Sequence, residues 1–107
     1  MQQYLQTVTG VATGTPVMID ANSVPCNIGF GCVITGTATY TVQHTFDDLQ
    51  GSHGPAITAG AATWFNHPFV AAATTNQDGN YAYPVRAIRL NVTVSTGSVK
   101  LTALQGI

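Results

Sequence analysis

The run Ala38-Thr39-Tyr40-Thr41-Val42-Gln43-His44-Thr45-Phe46 constrains the fold more than any other stretch. Its even positions carry Ala, Tyr, Val, His and Phe, and its odd positions carry Thr, Thr, Gln and Thr. A repeat of two is the pleat of a β-strand with one face toward a core and one away from it. The same repeat governs residues 26–35, where Cys26, Ile28, Phe30, Cys32 and Ile34 share a face and Asn27, Gly29 and Gly31 begin the other. It returns after Pro84, with Ile88, Leu90, Val92 and Val94 expected inward and Arg89, Asn91, Thr93 and Ser95 outward. Thr96-Gly97 reads as a two-residue reversal, and Val99, Leu101 and Ala103 continue the core face on a returning strand. That pattern predicts a C-terminal hairpin.

The remaining segments are shorter. Residues 4–12 are rich in Thr and Val and read as a strand, which Gly14-Thr15-Pro16 breaks. Val17-Met18-Ile19 reads as a second short strand, closed by the turn composition Asp20-Ala21-Asn22-Ser23. Residues 47–62 make a long loop, and residues 70–74 a short strand. Asn76-Gln77-Asp78-Gly79-Asn80 carries the Asp-Gly signal of a tight reversal. A helical period persists nowhere for three turns. The expected fold is therefore all-β: a single-domain antiparallel β-sandwich or jelly roll of about seven or eight strands, spanning residues 1–107.

Charge narrows the function. Only 7% of the 107 residues are charged, and glutamate is absent. The acids are Asp20, Asp47, Asp48 and Asp78, and the bases are Arg86, Arg89 and Lys100. So few bases, at a net charge of −1, argue against a nucleic-acid partner and against attachment to a membrane surface. The apolar runs are too short to span a bilayer, and Met1-Gln2-Gln3-Tyr4-Leu5 lacks the basic start and apolar run of a secretion signal. The protein is expected to stay in the cytoplasm of the cell that makes it. Outer faces of Thr and Gln offer little repulsion against association, which suits a chain that sits against other protein. Gly29 and Gly31 either bend the strand or let a neighbouring subunit lie flat on it.

Catalytic patterns are weak. His44, with Asp47, Asp48 and His53 or His67, has the residue types of a metal site, but His44 falls in the apolar phase of its strand, the place of a core histidine. Asp47 and Asp48 are adjacent, so in extended chain they diverge rather than converge as acid–base partners. No nucleophile elbow and no phosphate-cradling glycine loop is present. No catalytic residue, metal or cofactor is expected, and the protein reads as a non-enzyme. Asn91-Val92-Thr93 matches a glycosylation acceptor by chance, in a strand that is not expected to be secreted. Cys26 and Cys32 lie on one face of an extended strand roughly 20 Å apart at ~3.3 Å per residue, too far for a disulfide unless the chain turns at Gly29 or Gly31. Two buried thiols are the preferred reading.

The aromatic group Trp64, Phe65, Phe69, Tyr81 and Tyr83 is the best binding candidate. It serves a core or subunit interface, or alternatively a glycan platform in which Trp64, Tyr81 and Tyr83 stack on sugar rings. Arg86 falls on the apolar phase and calls for a partner acid, with Asp20, Asp47 and Asp48 available, within or between subunits. Trp64, Phe65, Tyr81, Tyr83 and Arg86 are the expected partner-binding residues.

Several stretches carry a resemblance. They are residues 36–48 (Gly-Thr-Ala-Thr-Tyr-Thr-Val-Gln-His-Thr-Phe-Asp-Asp), Thr63-Trp64-Phe65-Asn66-His67, Asp78-Gly79-Asn80-Tyr81-Ala82-Tyr83-Pro84, Val85-Arg86-Ala87-Ile88-Arg89-Leu90-Asn91-Val92-Thr93, and the ending Gln105-Gly106. From about residue 16 onward the chain resembles small virion structural proteins of tailed bacteriophages. The resemblance implies a capsid decoration or cement protein on the outer shell, with a tail or fibre component as the alternative. It implies the major capsid protein as partner, a homo-oligomer with a trimer favoured, and location on the virion after assembly in the host cytoplasm. It brings no catalytic residues. The paired cysteines and Ser52-His53-Gly54-Pro55 fall outside it.

Overall fold

A computed structural model describes residues 2–19, 27–47, 49, 55–58, 60–81 and 85–105. The strands are β1 (Gln2–Thr9), β2 (Ala12–Thr13), β3 (Val17–Met18), β4 (Ile28–Thr35), β5 (Ala38–Thr45), β6 (Trp64–Asn66), β7 (Gln77–Tyr81), β8 (Ala87–Ser95) and β9 (Ser98–Gln105). The protein is all-β, with two antiparallel sheets packed face to face. One sheet has the order β1-β9-β4-β7, and the other β2-β8-β5-β6, with β3 also paired to β8. Pairing is nested: β1 with β9, β2 and β3 with β8, β4 with β7, and β5 with β6. A chain folded as one long hairpin and then rolled gives this nesting. It is the jelly-roll arrangement, with β2 and β3 as one interrupted strand.

Local chemistry explains the interruption. Pro16 has no N–H to give a ladder, and Gly14 leaves space beside it. Gly14 N–H donates to the Leu90 carbonyl at 2.8 Å. The Gln6 side chain, reaching over from β1, fills the gap. Its Oε1 accepts the Leu90 N–H at 2.8 Å and its Nε2 donates to the Thr15 carbonyl. A Cβ at Gly14 would run into that amide. One side chain thus replaces the missing rungs of the ladder.

The core lies between the sheets and contains Ile28, Tyr40, Val42, Tyr81, Ile88, Leu90, Val99 and Leu101, all fully buried or nearly so. The alternations of β4, β5 and β9 place their apolar residues as the sequence indicates. The outward threonines of β5 differ from expectation. Thr41 and Thr45 are buried, and their hydroxyls bond to the segment of residues 63–73 that runs beside β5. Thr41 Oγ1 accepts the Ala72 N–H at 2.9 Å, and Thr45 Oγ1 donates to the Thr63 carbonyl at 2.8 Å.

Four other expectations are corrected. The reversal at Thr96-Gly97 makes no hairpin, because β8 and β9 belong to different sheets. Three such corners lie together, at residues 10–11, 36–37 and 96–97. Gly10 N–H donates to the Gly97 carbonyl at 3.0 Å and Thr96 N–H to the Thr37 carbonyl at 2.8 Å. Gly10 and Gly36 take φ of 75° and 87°, open to glycine at little cost. A Cβ at Gly97 would collide with the Thr35 carbonyl. The glycines therefore fold the chain from one sheet to the other.

Val94 faces outward, 54% exposed, because a bulge shifts the β5–β8 register between Thr39 and Tyr40. Residues 77–81 form β7 and not a turn. Gly79 serves close packing, since a Cβ there would come within 2.9 Å of the Phe30 ring and 3.1 Å of the His67 ring. The expected strand at 70–74 is a looped segment with a single bridge from Ala73 to Tyr40, although the Val70 side chain is fully buried. The turn expected at 20–23 lies outside the described residues.

Candidate functional site

Strand alternation builds a histidine–aromatic cluster at one side of the sandwich. β5 sends His44 inward, and β6, paired in the register His44 to Phe65, sends Phe65 to the same face. From the opposite sheet, β4 supplies Phe30 and β7 supplies Tyr81. His44 Nδ1 and the Tyr81 hydroxyl share a hydrogen bond of 2.9 Å. The Tyr81 ring meets the His44 ring edge-on at 4.9 Å and the His67 ring edge-on at 5.1 Å. Phe30 packs edge-on against His67 at 5.1 Å.

His67 is held at both nitrogens. Its Nδ1 accepts the Phe69 N–H at 3.2 Å, so its Nε2 carries the proton and donates to the Asn80 carbonyl at 3.2 Å. Burial, and then the neighbouring His67, lower the pKa of His44 below its ordinary 6.5. Both imidazoles are engaged within the fold, and among the described residues no group of three or more His, Cys, Asp or Glu could hold a metal ion. Asp48 and His53 lie outside the described residues. Asp47 Oδ2 accepts the Thr63 N–H at 2.6 Å, a loop-fastening role.

The buried part of this cluster supports an exposed part. Phe46 stands edge-on to His44 at 5.5 Å, Phe65 stacks on His44 at 5.9 Å, and Phe46 and Phe65 approach at 5.9 Å. Phe69 leans on His67 at 6.1 Å and is 83% exposed. Phe46 and Phe65 are each about half exposed, at 52% and 49%. Three phenylalanines thus stand out as an aromatic ridge, Phe46 and Phe65 together over His44 and Phe69 over His67.

The expected partner-binding residues separate. Phe65 belongs to the ridge. Tyr81 is fully buried beneath it and offers no ring face. Trp64, adjacent to Phe65 on β6, points to the other face of the sheet. There the Arg89 guanidinium lies 3.9 Å over its ring, while Arg89 Nε donates to Gln43 Oε1 at 2.9 Å. Gln43 Nε2 in turn donates to Asn66 Oδ1 at 3.0 Å. A sugar platform formed jointly by Trp64 and Tyr81 is thus not assembled. Tyr83 lies outside the described residues. Arg86 is half-buried, with its main chain bonded to Thr45 and Ile19.

Phe69 stands in the aromatic group expected to bind, though outside the five expected partner-binding residues; Phe46 stands in neither, and the signal for it was slight. Phe46 carries the apolar phase one residue past the end of its strand, and Phe69 follows a proline in a segment without periodicity. Cys32 is free and buried, and burial pushes its thiol up to about 12, which keeps it protonated and unreactive. Cys26 lies outside the described residues.

No protein-family model matches the chain, and no curated protein matches it. Among solved structures, one from a study titled "Bacillus endospore appendages form a novel family of disulfide-linked pili" aligns over 95% of this chain and 82% of its own. Identity is 16% and the TM-score 0.38, a likeness too loose to transfer a role.

Proposed function

We propose that this is a non-enzymatic virion assembly protein, a capsid decoration or cement protein that binds the outer shell and ties neighbouring capsomers together. The supporting observation is the Phe46–Phe65–Phe69 ridge. Three exposed aromatic rings rest on a buried His44–Tyr81–His67 base. Aromatic anchors lose little entropy on docking and dominate interface energies. Few charges are present to be stripped of water. The resemblance to phage virion proteins points the same way, with the major capsid protein as partner. Many copies on a lattice let a modest affinity per copy suffice.

The alternatives are a tail or fibre position and a glycan-binding module. Co-sedimentation with undecorated shells separates them. The chain is expected to pellet saturably, and Phe69→Ser combined with Phe65→Ser to weaken that binding ~100-fold, about 2.7 kcal/mol. Absence of shell binding, together with a tryptophan fluorescence change on adding host polysaccharide, would overturn the reading.

A further inference from the structure

The described outward residues of the β1-β9-β4-β7 sheet are exposed or half-buried along its face, whereas on the other sheet the outward-phase Thr41 and Thr45 are buried. The registers place Gly29 in a row with Leu104, Gly31 in a row with Leu5 and Asp78, and Val33 in a row with Lys100. Leu5, Val33 and Leu104 are exposed. A Cβ at Gly29 or Gly31 would meet nothing within 4 Å, and neither glycine takes a positive φ. Nothing among the described residues requires glycine at these positions, where it weakens the strand. Close approach by another surface does require it.

Among the described residues the face carries one charge of each sign, Lys100 and Asp78, both exposed and neither in an ion pair there. Such a face is complementary to itself. We infer that it packs against the same face of a second copy of this chain across a twofold axis. With strands ~4.8 Å apart and ~3.4 Å per residue, Lys100 and Asp78 lie ~12 Å apart in the plane of the sheet. The in-plane axis that exchanges them crosses β4 between Gly31 and Val33. Each Lys100 then faces the other copy's Asp78. On a flat lattice of these spacings the same axis sets Leu5 of one copy over Gly29 of the other. The glycine floor becomes the socket for a leucine.

The sheet face covers roughly 500 Å² per copy, about 1,000 Å² in all, which is the lower end for specific interfaces. The dimer is accordingly weak, with Kd in the ~10 μM range or above. This isologous pair replaces the trimer that the sequence resemblance implies, and it stands independently of capsid binding.

Sedimentation equilibrium of the full chain from ~10 μM to ~1 mM tests the pairing. A reversible dimer is expected. Lys100→Asp weakens it ~10-fold, and the swap Lys100→Asp with Asp78→Lys restores it. Gly29→Val abolishes it while leaving the thermal midpoint of the monomer unchanged or higher, because the added side chain enters open space. A monomer throughout, a trimer, or a dimer indifferent to Gly29→Val and to the charge swap would overturn the inference. Shell binding by a chain that stays monomeric would sink the pairing and spare the proposed function. A dimer that ignores shells would do the reverse.

Discussion

His44 Nδ1 on β5 and the Tyr81 hydroxyl on β7 meet at 2.9 Å across the sandwich, tying its two sheets together through a polar bond inside an aromatic core. Tyr81→Phe removes the hydroxyl and leaves a buried imidazole nitrogen without that partner. The expected cost is ~1–3 kcal/mol, read as a lower urea midpoint. Adding His44→Phe recovers part of the loss, since removing both polar groups removes the unmet demand as well. A Tyr81→Phe chain as stable as the parent would contradict this role.

Stability is expected to fall in mild acid. His44 has its pKa lowered below 6.5 in the folded chain, by burial first and by His67 second. Unfolded, it takes a proton at ~6.5, so below that pH the unfolded state binds more protons than the folded one. Stability is then flat above neutral pH. It falls between pH ~6.5 and the lower folded-state value, by up to ~1.4 kcal/mol per pH unit for this group. Urea midpoints from pH 8 to pH 5 check this, and His44→Phe should flatten the decline. A midpoint that rises toward pH 5 would contradict the sign.

Gly97→Ala is expected to be severe, since its Cβ would collide with the main-chain carbonyl of Thr35 at the triple corner. A loss of ~3 kcal/mol or more follows, because the obstacle is backbone and has no rotamer to yield. Gly60→Ala, with nothing within 4 Å, serves as the neutral control. Thermal melts of the two variants compare them directly.

Gln6→Leu withdraws the amide that bridges the break between β2 and β3. Leu90 N–H then lacks its acceptor, at an expected cost of ~1–3 kcal/mol. Amide exchange at Leu90 should quicken more than at Leu101, whose strand keeps its neighbours on both sides.

Strand faces were legible wherever alternation ran long, as in β4, β5 and β9, because a repeat of two survives any choice of partner strand. Sheet membership was not. Thr96-Gly97 looks the same whether two strands pair beside each other or cross between sheets, and only the neighbouring corners at Gly10 and Gly36 decide it. Asp78-Gly79 spelled a turn, yet Gly79 is there because Phe30 and His67 need its space, a reason that exists only in three dimensions. The bulge that turns Val94 outward leaves no mark in composition. At the candidate site, Phe65 and Phe69 were identifiable from aromatic content alone, whereas Phe46 was not. The opposite placement of Trp64 follows from adjacency on one strand, and the burial of Tyr81 depends on partners distant in sequence.

Electron microscopy of purified virions tests the central claim most directly. The expected result is a repeating two-layered β density of this size on the outer shell at symmetric lattice positions, contacting capsid protein through the edge that bears Phe46, Phe65 and Phe69. Particles that carry the protein only in the tail, or carry none of it, would contradict the account.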